Sequence, residues 1–148
     1  MKVDLAAQTL SRGAATAIRT YVHLGKMSEE ALATALFMEK VNDMFDNING
    51  TSPNAPESKA AVTSTNMLTK IANMRLNADW VSQWRFFNRM TKKESHRHTF
   101  PKGWQVALRA MALLSTQLIG IGFPFVPLRR LGQDHIENIF CCVRGRNG

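Results

Sequence analysis

Seventeen consecutive residues, Ala110 to Val126, carry no charge, and any fold this chain adopts has to cover them. The run is short for a bilayer span, and Gly120, Gly122 and Pro124 interrupt its second half. Trp104 to Ile119, with Arg109 inside it, therefore reads as a buried helix, opened by Pro101 in its first turn. Elsewhere the apolar residues recur at helical spacing with almost no strand-like alternation. The expected class is mostly α.

Val3 to Leu24 is alanine-rich, with Leu10, Ala14, Ala17, Ile18 and Tyr21 at helical intervals. Ser28-Glu29-Glu30 is a helix start, a capping hydroxyl followed by acids that suit the dipole. The helix it opens sets Phe37, Val41, Met44 and Ile48 on one stripe and Glu39, Asn42, Asp43 and Asp46 opposite. Asn49-Gly50 ends it. Thr51 to Ser58, with Pro53 and Pro56, reads as a linker. Thr63 or Ser64 caps the next helix, through Met67, Leu68, Ile71 and Met74. Trp80, Trp84 and Phe87 follow at a spacing that suits core packing better than base stacking. Phe123 to Leu128 is the one strand candidate, held to an edge by Pro124 and Pro127. Gly132 then introduces a helix from Gln133 to Arg144. No repeat is present, and the charged, helical start at Met1-Lys2-Val3-Asp4 does not read as a signal peptide.

Charge divides the chain. Up to Glu57, five Lys and Arg face seven Asp and Glu; from Ser58 onward, fourteen face four. The basic part includes the tract Arg85, Arg89, Lys92, Lys93, Arg97 and Lys102, opposed by Glu94. Such a surface attracts polyanions, nucleic acid first and an anionic membrane second, unless it is simply a solvated face. The two cysteines, Cys141 and Cys142, are adjacent, which gives neither a disulfide scaffold nor a zinc-binding spacing and suits a reducing compartment.

Phosphate loops, dinucleotide fingerprints, nucleophile elbows and zinc-protease motifs are all missing from the sequence. His96 and His98 belong to the basic tract, and His23 suits a helix end. Two constellations remain. In Asn42-Asp43-Met44-Phe45-Asp46, residues 42, 45 and 46 can flank one helix groove. A carboxylate beside a ring suits guanine, whose N1–H and N2–H₂ are paired donors, and leaves adenine poorly matched. The simpler account places Phe45 in the core with Met44 and both aspartates in water. In Gln133-Asp134-His135-Ile136-Glu137-Asn138, the two acids are three apart and can approach the same or adjacent cations, or can merely complement a helix dipole.

Three segments carry a resemblance: Lys2 to Ser11, Val41 to Asn49, and Leu131 to Phe140 with Val143 to Gly148. In this order they resemble the P element family of DNA transposases, including its THAP domain-containing relatives. In that family a helical GTP-binding insertion interrupts an RNase H-like catalytic domain. The resemblance implies a mostly α fold: a helical insertion over 1–122, then a short strand and the catalytic-glutamate helix over 123–148. It implies that Asp46 reads the guanine edge, Phe45 stacks on the base and Asn42 supports the site. Lys2, Val3 and Ser11 would line the nucleotide, Asp134 would help hold its Mg2+, and Glu137 would be the last acid of an Asp-Asp-Glu set, itself a metal ligand. Implied partners are DNA, as transposon ends, and a second copy of the protein, with a nuclear location and no membrane. Two-metal strand transfer needs three converging carboxylates. Two belong upstream in the family, and Asp4 and Asp79, in helical patterns, do not replace them. The expectation is a transposase fragment that does not cut DNA alone; the alternative is a non-catalytic nucleic-acid-binding or interaction domain derived from a transposable element.

Overall fold

A computed structural model of the chain describes residues 8–96 and 98–132. The chain divides into two compact units, Met1–Asp46 and Asn47–Gly148. The fold is mostly α, as expected, and its short strand is one of a pair that forms a two-stranded sheet.

In the first unit α1, Arg12–His23, is capped by Ser11, whose Oγ accepts from the Ala14 amide at 3.1 Å. Ser11 itself is extended, at φ −92° and ψ 157°. The continuous helix expected from Val3 to Leu24 is thus broken at Ser11, because an N-cap leaves the helical conformation to satisfy the first free amides. At the other end Gly25 is left-handed, at φ 66°, and Lys26 N–H reaches back to the Tyr21 carbonyl at 2.9 Å. That is a Schellman closure, which favours glycine at this position. Ser28 begins α2, Ala31–Ile48: its carbonyl accepts from Ala31 and its Oγ from the Glu30 amide.

Small side chains set the contact between the two helices. Ala15, Ala35 and Met38 are buried together, with Ala14 and Ile18 packed against them. Burial on α2 follows Ala35, Met38 and Met44, whereas Phe37 of the expected stripe is 41% exposed. One residue along a helix turns the face by about 100°, so a contact seated on alanines moves the stripe off the bulky residues.

In the second unit α3, Met67–Ser82, packs against α4, Phe100–Gly120. Ile71, Met74, Ala78 and Val81 of α3 and Leu108 and Ala112 of α4 are buried. On their surface Arg109 donates to Asp79 at 3.1 Å. Strand β1, Val62–Thr63, pairs antiparallel with β2, Phe125–Val126, in the register Val62 to Val126. Prolines on either side hold β2 to two residues, and β1, also two residues long, has no alternation in the sequence to announce it. Thr63 lies in β1 and Asn66 is the N-cap of α3, so neither Thr63 nor Ser64 caps it. The Asn66 side chain turns back instead, accepting from Thr63 N–H at 2.8 Å and donating to the Ala61 carbonyl at 2.9 Å.

The expected linker is a stitched loop. Thr51 N–H bonds the Lys59 carbonyl at 3.2 Å, Ala61 N–H bonds the Ser52 carbonyl at 2.9 Å, and a 3-10 turn, Glu57–Lys59, lies between. Lys70 of α3 reaches into it, 4% exposed, donating to Asn47 Oδ1 at 3.0 Å and the Ser58 carbonyl at 3.4 Å. Burial lowers its pKa, and the Glu57 charge opposes that shift. Prolines stiffen this loop, and an ammonium donating to two oxygens fastens it.

Candidate functional site

Within the first unit the start of α1 meets the last turns of α2. Arg12 N–H, the first free amide after the Ser11 cap, points at Asn42 Oδ1 at 3.4 Å. The Asn42 amide then donates to Asp46 Oδ2 at 3.2 Å, one helical turn along. Arg12 closes the cluster from outside through an ion pair with Asp43. Asn42 thus accepts from one helix and orients the Asp46 carboxylate on the other. Phe45, between them in sequence, is 41% exposed and does not join Met44 in the core.

A second clamp holds the same two helices. Arg19 Nε and Nη2 donate to Glu39 Oε1 and Oε2 at 2.9 and 2.7 Å, a planar fork on a carboxylate. Those bonds hold the Glu39 carboxyl below its ordinary value of 4.5. A carboxyl depressed in the folded state lends stability above its unfolded pKa and loses it as pH falls through the folded one. Acid titration of stability should therefore show a limb just below pH 4.5 that Glu39→Gln flattens. An unchanged limb would mean that the fork carries none of it.

Of the residues expected at a nucleotide site, Ser11, Asn42, Phe45 and Asp46 fall in this one neighbourhood. Lys2, Val3, Asp134 and Glu137 lie outside the described residues. Among the described residues no three His, Cys, Asp or Glu gather to hold a metal ion. The pairing of Arg12 with Asp43 is not legible in the sequence. A Ser-Arg helix start gives no sign of a partner 31 residues away.

The family model of the TNP-like GTP-binding insertion domain matches residues 1–61, which contain all four of the described site residues. The structure also matches a chain of the Drosophila P element transposase strand transfer complex, with a TM-score of 0.72 at 25% identity. That match covers 99% of this chain and 32% of the other. The first 61 residues thus resemble a TNP-like GTP-binding insertion domain, and the chain is similar to a P element transposase in fold. It spans about a third of the transposase chain it matches. No curated protein matches its sequence. Among the described residues no helix is long and apolar enough to cross a membrane.

Proposed function

We infer that the chain is a GTP-binding module of a P element-type transposase, joined to the segment that re-enters the RNase H-like catalytic fold. One observation carries this reading: Asn42 holds the Asp46 carboxylate at 3.2 Å, and Phe45, the residue before Asp46, is 41% exposed, within the region that matches a GTP-binding insertion. A carboxylate aimed by a neighbour, with a ring face beside it, is what a guanine edge requires. The residues present fit the ligand. Asp46 would accept the N1–H and N2–H₂ donors, Phe45 would cover the base, and Ser11, Lys2 and Val3 would line the rest of the nucleotide.

The insertion occupies 1–122 and the returning segment 123–148 in this reading, with Glu137 as the last catalytic acid and Asp134 on the nucleotide's magnesium. DNA is the substrate class and a second copy of the transposase a partner, in the nucleus. The basic balance after Ser58 supports the DNA part. Calorimetric titration of the 148-residue chain with GTP and with ATP tests the nucleotide part. At least a tenfold preference for GTP is expected, since a site built on paired hydrogen bonds rejects the base that leaves them unmade. Equal affinity would overturn it.

A further inference from the structure

The basic tract after α3 contains a feature that nucleotide binding does not use. Phe86 to Ser95 form a β-hairpin: Ser95 N–H bonds the Phe86 carbonyl at 2.7 Å, Phe87 bridges Glu94, and Asn88 N–H bonds the Lys93 carbonyl at 2.9 Å. Its tip is fixed from within. Asn88 Oδ1 accepts from the amides of Met90 and Thr91 at 2.9 and 3.0 Å, and Lys92 N–H bonds the Asn88 carbonyl at 2.9 Å. Lys92 is left-handed, at φ 56°.

The base of the hairpin is seated in aromatic rings. The Phe86 centroid lies 4.7 Å from His98 and 5.3 Å from Phe100, and Trp84 is edge-on to Phe86 at 6.5 Å. Phe86, not Phe87, thus enters the cluster, and Phe87 of the expected core trio is 61% exposed. Alternation in a strand explains the correction: adjacent residues point to opposite faces.

At the tip, Met90 is 88% exposed, the highest value among the exposed large hydrophobic residues described. Arg89 precedes it, Lys92 and Lys93 follow it, and Arg85, just before the hairpin, lies 3.8 Å from Glu94. An unbranched apolar side chain held out between cations suits neither protein core nor plain water. It suits a duplex. Apolar wedges, methionine among them, enter between base steps from the minor groove, while flanking Lys and Arg neutralise the adjacent phosphates. Single-strand grooves use a series of exposed rings, whereas here Phe86, His98 and Phe100 are engaged with one another.

We propose that the hairpin Phe86–Ser95 is a duplex-DNA wedge, with Met90 entering a base step and Arg89, Lys92 and Lys93 on the flanking phosphates. This rests on the DNA part of the proposed function and is independent of the guanine site.

The test uses the whole chain and short duplexes carrying 2-aminopurine at successive positions. Wild type should raise the probe's emission at an unstacked step. Met90→Ala should lose that gain while keeping the slope of log affinity against log salt, and Met90→Leu should restore it. Arg89→Ala with Lys92→Ala and Lys93→Ala should lower the slope by about 0.9 for each phosphate contact removed. Circular dichroism of each variant separates these effects from misfolding. If Met90→Ala unstacks the duplex as well as wild type does, the wedge is overturned while DNA binding stands. If wild type binds no duplex even at low salt, the DNA reading fails and the wedge with it. Met90-dependent binding to phosphatidylserine vesicles, without unstacking of any duplex, would also overturn it.

Discussion

Asp46→Asn is expected to weaken GTP binding by roughly 5- to 150-fold, the equivalent of about 1–3 kcal/mol for a hydrogen-bonding partner lost from a desolvated pair. The substitution keeps the size of the side chain and replaces one acceptor oxygen with a donor. Guanine's two donors then meet one acceptor and one like group. Xanthosine triphosphate, with a carbonyl where guanine has its amino group, should gain what GTP loses. Asn42→Ala should weaken GTP less, since it removes the bond at 3.2 Å that aims the carboxylate but leaves both oxygens present. Phe45→Ala should weaken GTP and ATP alike, because stacking does not distinguish purines well. A purely electrostatic surface predicts another pattern: GTP and ATP bind equally through their phosphates, and Asp46→Asn binds both slightly better. Titration of wild type and Asp46→Asn with the three nucleotides separates the two, and equal affinities throughout would remove the guanine site.

Gly50→Ala should destabilise the second unit by about 2–4 kcal/mol, at the severe end for one methyl group. A Cβ at Gly50 would overlap the Ala60 carbonyl oxygen and come within 3.0 Å of its carbon. Backbone stands on both sides of that contact. The Gly50 carbonyl accepts from Arg129 N–H at 3.2 Å, and Ala60 is buried at the end of the stitched loop. Two other glycines serve as controls. Gly103, inside α4 with nothing near it, should gain about 0.5–1 kcal/mol on change to Ala. Gly25→Ala should cost about 1–2 kcal/mol through its positive φ alone. Urea midpoints at constant slope would rank the three. Gly50→Ala as mild as Gly25→Ala would show that the loop yields.

Gly50 also shows where sequence reading stops. Asn-Gly after a helical run marks the helix end correctly, and α2 does end at Ile48. The reason differs: positive φ occurs at Gly25 and Gly122, while Gly50 is required by a backbone ten residues away. Local chemistry was legible, as at Ser28 before α2, Pro101 in the first turn of α4, and the prolines confining β2. Contacts between distant segments were not. Two prolines and small polar residues read as a linker, because nothing local shows that Lys70 will fasten Ser58. In the sequence the hairpin shows only as positive charge, since a basic tract closed by one asparagine side chain has no alternation to mark it. At the proposed nucleotide site the spacing of Asn42 and Asp46 stands in the sequence, while Arg12 and its bond to Asp43 do not.

All three tryptophans, Trp80, Trp84 and Trp104, belong to the second unit, and the chain's one tyrosine, Tyr21, belongs to the first. Trp80 and Trp84 stand edge to face at 5.0 Å beside the hairpin's seat, close enough for their excited states to couple. Excitation at the red edge of the indole band therefore reports melting of the second unit alone. A thermal curve followed in that light describes the hairpin's foundation and is silent on the helices around Asp46. Tyrosine emission is the matching probe for the first unit. Superposition of the two curves then measures whether the units melt together, before any single melting temperature is assigned to the chain.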